Sequence, residues 1–215
     1  MLKTGVQSTP DRIKGVIMSP TVETQLITVP RVTYRSNIPF SLAESRLRST
    51  IQIEPQSPPT TDFGPSKPAV FPTQEEFGKY IESRVGPHGF MYFTEFDHGA
   101  WLKAYYPEIS RVTGLDGNLK NVRSVRFILG NPLIAQTMLR HDLDAGLSVP
   151  VELLLSEEAD GSSKVVHFKP VGLIAGHEGA SQELLKAATA LDQKVEAVLS
   201  WVLRDAGDNE AKEHL

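Results

Sequence analysis

The sequence predicts an α+β fold: a curved, mainly antiparallel sheet with a long C-terminal helix packed on one face. Three observations point to it. Residues 149–156 and 164–168 have the composition of strands and are joined by a turn at Asp160-Gly161, which is typical of a hairpin. Residues 181–203 carry apolar side chains at helical spacing. Strands and helices do not alternate regularly along the chain, which favours a helix on one face of an antiparallel sheet.

The N-terminal part predicts a flexible segment, a strand and a helix. Residues 1–20 are polar and contain two prolines, so we expect them to lie outside a single domain of residues 21–204. Residues 25–36 are rich in Thr, Val and Ile and predict a strand, in which Pro30 indicates an edge position or a bulge. A capping box at Ser41 and Glu44 then predicts a helix over residues 41–53.

Residues 55–72 form a Pro-rich insertion that can be neither helix nor central strand. Three interpretations stay open: an inert excursion, a lid over a pocket, and a polyproline segment that binds a partner. A second capping box, at Thr73 and Glu76, predicts an extra helix that reaches Val85 and ends at Gly86-Pro87. The six prolines of the insertion are Pro55, Pro58, Pro59, Pro65, Pro68 and Pro72.

The middle of the chain predicts two strands, over residues 90–96 and 122–129. Residues 101–107 give no clear prediction, and residues 113–118 contain the glycines of a turn. Asn131-Pro132 is a good pair for the cap and first position of a helix, which we expect to continue through Leu139.

The final helix, over residues 181–203, carries a seam of apolar residues at alternating steps of four and three. A broad apolar stripe suits a helix packed on a sheet, and a dimeric coiled coil is the alternative. We expect the charged residues 205–215 to form a disordered tail. The seam consists of Leu184, Ala188, Leu191, Val195, Val198 and Val202.

Composition excludes several classes of function. The chain has 215 residues, a formal net charge of -4 and no cysteine, which excludes disulfides, thiolate catalysis and cysteine metal sites. The acidic balance gives no general attraction to nucleic acid. No apolar run approaches the roughly 20 residues that span a bilayer. We therefore expect a cytoplasmic protein that binds neither nucleic acid nor membrane.

Candidate catalytic residues lie at the end of the strand over residues 90–96. On a regular strand Glu95 and Asp97 share one face, with Met91, and His98 points to the other with Thr94. Two carboxylates on a half-apolar face resist joint ionisation, which would raise one pKa and make a general acid. We predict catalytic or ligand-orienting roles for Asp97, His98 and Glu95. Alternatively, Glu95 is solvated and Asp97 caps a turn or helix.

Two further considerations bear on this site. Gly99 would permit a bulge that redirects His98. Gly130 and Asn131 follow the next long strand, and we predict ligand-binding roles for both and for Thr94. Asn131 is also a good helix cap, and free N–H groups at a helix start can hold an anion. No histidine pair has local metal-ligand spacing and no glycine-rich nucleotide motif is present, so we predict no cofactor and no metal.

Three segments, in order, resemble the family called domain of unknown function 302. Residues 95–100 (EFDHGA) resemble its IDHxxxA motif, residues 127–132 (FILGNP) its FGNP motif, and residues 147–155 (LSVPVELLL) its LPLxxLV strand. The resemblance spans roughly residues 24–204. It implies a β-α-β-β-β-β-α order, a curved antiparallel sheet under a long helix, and a homodimer like that of a bacterial member.

This sequence departs from the family pattern in two places, and the resemblance implies no activity. The Pro-rich insertion and extra helix enlarge the first helical region, and Leu129 stands where the family motif has phenylalanine. We predict a small-molecule-binding protein, or an enzyme of the lyase, isomerase or cyclase type, with a pocket between sheet and helix. The alternatives are a non-catalytic homodimeric interaction module and a histidine and carboxylate site for a metal or haem, which requires His98 to meet a second histidine.

Overall fold

The structure is a computed structural model that describes residues 22–51, 73–107, 111–113 and 119–205. The predicted flexible segment 1–20 and the Pro-rich insertion 55–72 lie outside the described residues. So does the predicted tail apart from Asp205.

The described residues form an α+β domain, as predicted. An open antiparallel sheet has the strand order β1-β7-β6-β5-β2, and two short strands, β3 and β4, pair separately. The sheet strands are β1 (Arg31–Pro39), β2 (Met91–Asp97), β5 (Ser124–Gly130), β6 (Val151–Glu157) and β7 (Ser162–Phe168); the short pair is β3 (Arg111–Thr113) and β4 (Leu119–Asn121). The helices are α1 (Phe40–Ile51), α2 (Gln74–Glu82), α3 (His98–Tyr105), α4 (Pro132–Leu139), α5 (Pro170–Ala175) and α6 (Gln182–Val202), with a 3-10 helix at Leu143–Leu147.

The two faces of the sheet differ because strand side chains alternate between them. On one face, Val125, Phe127 and Leu129 of β5 are buried in the core with α1 and α6. On the opposite face, which we call the open face, Phe96 is 50% exposed and Phe168 is 53% exposed. The core therefore lies on one side of the sheet, and apolar side chains remain accessible on the other.

The long C-terminal helix packs on the sheet, as predicted. All six seam residues are buried within their own domain, so the coiled-coil interpretation of this seam is wrong. The hydroxyl of Ser181 caps the helix by accepting from the Leu184 amide at 3.1 Å. Among the described helices, none is both long enough and apolar enough to cross a membrane.

Several local predictions are confirmed. Thr73 caps α2, with its hydroxyl accepting from the Glu76 amide at 3.2 Å. Asp160 and Gly161 form the β6–β7 turn, in which Gly161 has a φ of 88° and the Asp160 carboxylate accepts from the Ser162 amide. Residues 114–118, within the predicted turn, lie outside the described residues between β3 and β4.

Other local predictions are wrong at their boundaries. β1 begins at Arg31, not at residue 25. Pro30, which has no N–H, lies just before the strand, and its carbonyl accepts a hydrogen bond from the Lys169 amide. α1 already begins at Phe40, so Ser41 is not its cap. Glu44, the second residue of that supposed capping box, instead forms ion pairs with Arg48 and Arg123. α5 and the β3–β4 pair had no sequence signal that we recognised, and α3 was indicated only by the alternative role of Asp97 as a cap.

Packing of α6 on the sheet should dominate stability. Leu199 is fully buried and Leu185 is 39% exposed on the same helix. We expect Leu199→Ala to lower the free energy of unfolding by about 2–5 kcal/mol, because it leaves a cavity in the core. Leu185→Ala, the matched control, should cost less than about 1 kcal/mol. Urea denaturation followed by circular dichroism measures both, and equal losses would contradict this packing.

Candidate functional site

The corner between β2 and α3 holds the predicted catalytic residues, and Asp97 acts there as a helix cap. Its carboxylate accepts a hydrogen bond from the Ala100 amide at 2.9 Å. A carboxylate in this position satisfies one of the free N–H groups at the helix start. The side chain therefore has the structural role given above as the alternative. A chemical role for Asp97 stays a prediction.

Gly99 does not form a bulge but lies in the first turn of α3. It is buried, and a Cβ placed on it would lie 2.5 Å from the Val122 carbonyl oxygen. Only a residue without a side chain lets α3 approach the chain that leads into β5 so closely. The glycine thus fixes the position of the helix that begins with His98.

The bulge of β2 lies instead at Phe93, where the register with β5 shifts between Tyr92 and Thr94. Tyr92 lies opposite Leu129 and Glu95 opposite Phe127, so both point to the helix-covered face. Met91, opposite Gly130, does not share that face with Glu95. This part of the prediction is wrong because the extra residue shifts the alternation by one position.

Glu95 forms a bidentate ion pair with Arg48 of α1. The two guanidinium nitrogens of Arg48 donate to the Glu95 carboxylate oxygens at 2.7 and 2.9 Å. Arg48 also donates to Glu44 at 3.0 Å and lies over the Phe127 ring, 5.1 Å from its centroid. Hydrogen bonding to Glu95 raises the pKa of Arg48. The charged group that contacts Glu95 is thus a guanidinium rather than a second carboxylate.

Two neighbours extend this ion pair into a small network. Arg123 pairs with Glu44 and lies 4.2 Å from the centroid of the Phe40 ring. Burial raises the pKa of Tyr92, and the nearby Glu95 carboxylate raises it further. The ion pairs connect α1 to β2 through Glu95 and to Arg123, the residue before β5. An aromatic ring lies against each of the two guanidinium groups.

At the second corner, between β5 and α4, Asn131 is fully engaged in local structure. Its side-chain oxygen accepts from the Leu133 amide at 2.8 Å, which caps α4 as expected. Its amide nitrogen donates to the Gly89 carbonyl at 2.9 Å. A Cβ on Gly130 would lie 2.9 Å from the Pro150 side chain, so the glycine permits close packing.

Gly130 and Asn131 line a cavity of about 270 Å³, which we call the corner cavity. It lies between the ends of β5 and β6, α4 and Leu191 of α6, and its remaining walls are almost entirely apolar. Thr94, predicted to act with these residues, lies opposite Ile128 on the open face and does not line this cavity.

A larger cavity of about 520 Å³, which we call the open-face pocket, lies on the open face of the sheet. Its floor is formed by alternate residues of four strands, and α3, α5 and the segment 147–150 border it. Apolar side chains such as Leu154 and Val166 form much of the floor. The polar side chains that line it are Arg31, His98, Ser124, Arg126, Ser148 and Glu152. His167 also borders the pocket, but its ring stacks on Tyr34, 5.8 Å between centroids, on the helix-covered face.

The predicted site residues are therefore divided among different places. His98 lines the open-face pocket, whereas Asp97 borders a separate shallow cavity of about 200 Å³ on the other side of the corner. Glu95 points to the helix-covered face, and Gly130 and Asn131 line the corner cavity. Catalytic roles for Asp97, His98 and Glu95 stay predictions.

Comparison with known proteins identifies the family. The model of the domain of unknown function DUF302 matches residues 71–200, more than half of the chain. The chain belongs to the DUF302 family. The match begins after β1 and α1, which is later than the start near residue 24 that the resemblance implied.

Among solved structures, an uncharacterised conserved DUF302 protein from Bacillus stearothermophilus is similar to this DUF302 protein. The two share 16% sequence identity with a TM-score of 0.49, and the alignment covers 81% of this chain and 98% of that one. No curated protein matches the chain.

Sequence reasoning missed most of the polar residues that this DUF302 protein presents on its open face. Arg126 forms an ion pair with Glu152 on the adjacent strand and lies 5.8 Å from the centroid of the Phe96 ring. A signal was present, since Ser124 and Arg126 alternate with the buried residues of β5. Such alternation marks a strand with one accessible face.

The described part of the DUF302 chain gives no geometric support for the alternative of a metal or haem site. There, no three His, Asp, Glu or Cys side chains lie close enough together to hold a metal ion. His98 contacts the Trp101 ring edge-to-face, with centroids 6.0 Å apart.

The Arg48–Glu95 pair should contribute measurably to stability. Both side chains are mostly buried, with exposed fractions of 31% and 26%. We expect Arg48→Met to lower the free energy of unfolding by about 1–3 kcal/mol, because the carboxylate loses two charge-assisted hydrogen bonds. Lys79→Met, which breaks the exposed Lys79–Glu75 pair of α2, is the control and should cost at most about 0.5 kcal/mol.

A double-mutant cycle with Glu95→Gln isolates the pair itself. Urea unfolding of the wild type, the two single variants and the double variant should give a coupling energy of at least about 0.5 kcal/mol. Strictly additive losses would show that the two side chains do not stabilise one another.

Proposed function

We propose that this DUF302 protein binds a small molecule in the open-face pocket. The observation that carries the proposal is a pocket of about 520 Å³ with an apolar floor and polar side chains at its border. Ligand pockets typically have volumes of about 300–1,000 Å³ and combine apolar walls with a few polar groups that orient the ligand. Here the ligand would lie against the sheet rather than between sheet and helix.

The corner cavity is the weaker candidate, although it lies between the sheet and the helices, where a pocket was expected. It has about half the volume of the open-face pocket. Both ends of the Asn131 amide already form hydrogen bonds within the protein. A ligand there would meet almost no polar group to fix its orientation.

His98 is the proposed ligand-orienting group of the open-face pocket. A lyase, isomerase or cyclase needs a side chain that moves a proton, and histidine is the residue type most often used for this purpose. Asp97 supports His98 indirectly in this proposal, because its carboxylate caps the helix on which His98 is the first residue. Glu95 holds α1 against β2 through Arg48.

The second candidate function is a homodimeric interaction module that uses the same surface. The observation in its favour is a group of aromatic side chains around the pocket: Phe96, Trp101 and Phe168 are each 50–53% exposed. Exposed apolar patches of this kind often mark protein interfaces. A partner seated there would compete with a small ligand, so binding experiments separate the two functions.

A fluorescent apolar compound tests the proposed site. We expect N-phenyl-1-naphthylamine, which is uncharged, to bind and to gain fluorescence as it leaves water. Leu154→Lys should weaken this binding at least about tenfold, since a charge on the pocket floor disfavours an apolar ligand by more than 1.4 kcal/mol. Leu185→Lys places the same charge on α6, away from the pocket, and should leave the affinity unchanged.

Two results would contradict the proposed function. One is the absence of binding to the folded wild-type protein. The other is equal binding to wild type and to a folded Leu154→Lys variant, which would place the compound elsewhere. Circular dichroism confirms that each variant is folded.

Substitutions of Asp97 and His98, at the β2–α3 corner, should affect mainly stability in the first case and mainly ligand binding in the second. Asp97→Ala should lower the free energy of unfolding by about 1 kcal/mol through loss of the cap. It should weaken binding of the naphthylamine less than His98→Ala does, because it acts only through the position of α3. Asp97→Asn retains a capping side chain and should have little effect on either quantity. His98→Ala should weaken binding about threefold or more, because it removes part of the pocket wall. A loss of binding in Asp97→Asn, with stability unchanged, would instead assign Asp97 a direct role.

A further inference from the structure

We infer that the ligand of the open-face pocket is an amphipathic organic anion, with an apolar body on the pocket floor and an acidic group beside Arg31. The inference rests on the proposed function and adds the chemical class of the ligand. It comes from the distribution of charge around the pocket, where one cation forms no ion pair with the residues that the structure describes.

The negative charge of the pocket is already neutralised. Among the described residues that line it, the acidic side chain is Glu152, which pairs with Arg126 across β5 and β6. A cationic ligand would therefore have to displace Arg126 from Glu152 and would then lie beside two guanidinium groups. Such a ligand is disfavoured by like-charge repulsion.

Arg31, by contrast, is an available cation. It is the first residue of β1, at the edge of the sheet, and it lines the pocket. Within the described part of the chain, no acidic side chain forms an ion pair with it. A guanidinium in this position can form two parallel hydrogen bonds with a carboxylate, sulfonate or phosphate.

The apolar part of the ligand has a surface next to this cation. In the β1–β7 register Arg31 lies directly opposite Phe168, whose ring is half exposed. Val166 and Leu154 continue the floor across β7 and β6. An acidic group at Arg31 would thus place a ring or alkyl body on Phe168 and the apolar floor, which the pocket volume accommodates.

A pair of related probes tests this class. 8-Anilinonaphthalene-1-sulfonate has the anilinonaphthalene body of the uncharged naphthylamine together with an anionic sulfonate. We expect wild type to bind the sulfonate about tenfold more tightly than the uncharged compound, the factor typical of one charge-assisted interaction. Arg31→Gln should remove this preference, so that the ratio of the two affinities falls from about ten to about one.

Arg35→Gln provides the matched control. Arg35 lies on the same strand and the same face as Arg31, but it does not line the pocket and lies 3.9 Å from Glu158. The preference for the sulfonate should persist in this variant. A loss of the preference in both variants would indicate general attraction to surface charge and would overturn the inference.

The possible failures are distinguishable. If wild type binds both probes equally, the anionic class is wrong. If Arg31→Gln keeps the preference for the sulfonate, the placement of the acidic group beside Arg31 is wrong. Either result overturns the inference and leaves the proposed pocket standing. If the folded protein binds neither probe, the proposed function fails as well. A dimer that excludes both probes and dissociates in Leu154→Lys would assign the open face to a second copy of the chain, and would also overturn the inference.

Discussion

The alternation of side chains along β5 and β6 determines which face of the sheet is buried and which stays accessible. Because successive residues of a strand point to opposite faces, Phe127 and Leu153 enter the core as a pair while Arg126 and Leu154 are directed away from it. The buried residues bring α1 and α6 onto one face. The same geometry leaves the other face lined with arginine, glutamate and apolar side chains, and it is on this face that we propose the ligand binds.

The edge strand β2 shows how one residue changes the chemistry of a site. The bulge at Phe93 shifts the alternation, so Tyr92 and Glu95 meet Arg48 on the helix-covered face. The chain then turns directly into α3, and His98 enters the opposite surface, where it borders the open-face pocket. Neighbouring residues in the motif thus serve different parts of the molecule.

Sequence patterns predicted those features that depend on local interactions. The cap at Thr73, the cap at Asn131 and the apolar stripe of α6 follow from side chains within a few residues of one another, and the structure confirms all three. The Arg48–Glu95 pair and the position of Arg31 beside Phe168 depend on which segments pair in space. No spacing along the chain contains that information. The family motifs predicted the fold. Two of them, residues 95–100 and 127–132, lie in corners built largely of caps and close-packed glycines. The third, residues 147–155, forms part of the open-face pocket, which its pattern did not indicate.

We propose that the open face, and not the corner cavity, holds the ligand. Methyl NMR of the isotopically labelled protein during titration with 8-anilinonaphthalene-1-sulfonate tests it most directly. We expect the methyl resonances of Leu154, Val166 and Leu173, which line the open-face pocket, to shift. Those of Ile134 and Leu139, in the corner cavity, should be unaffected. Shifts confined to Ile134 and Leu139 would contradict it.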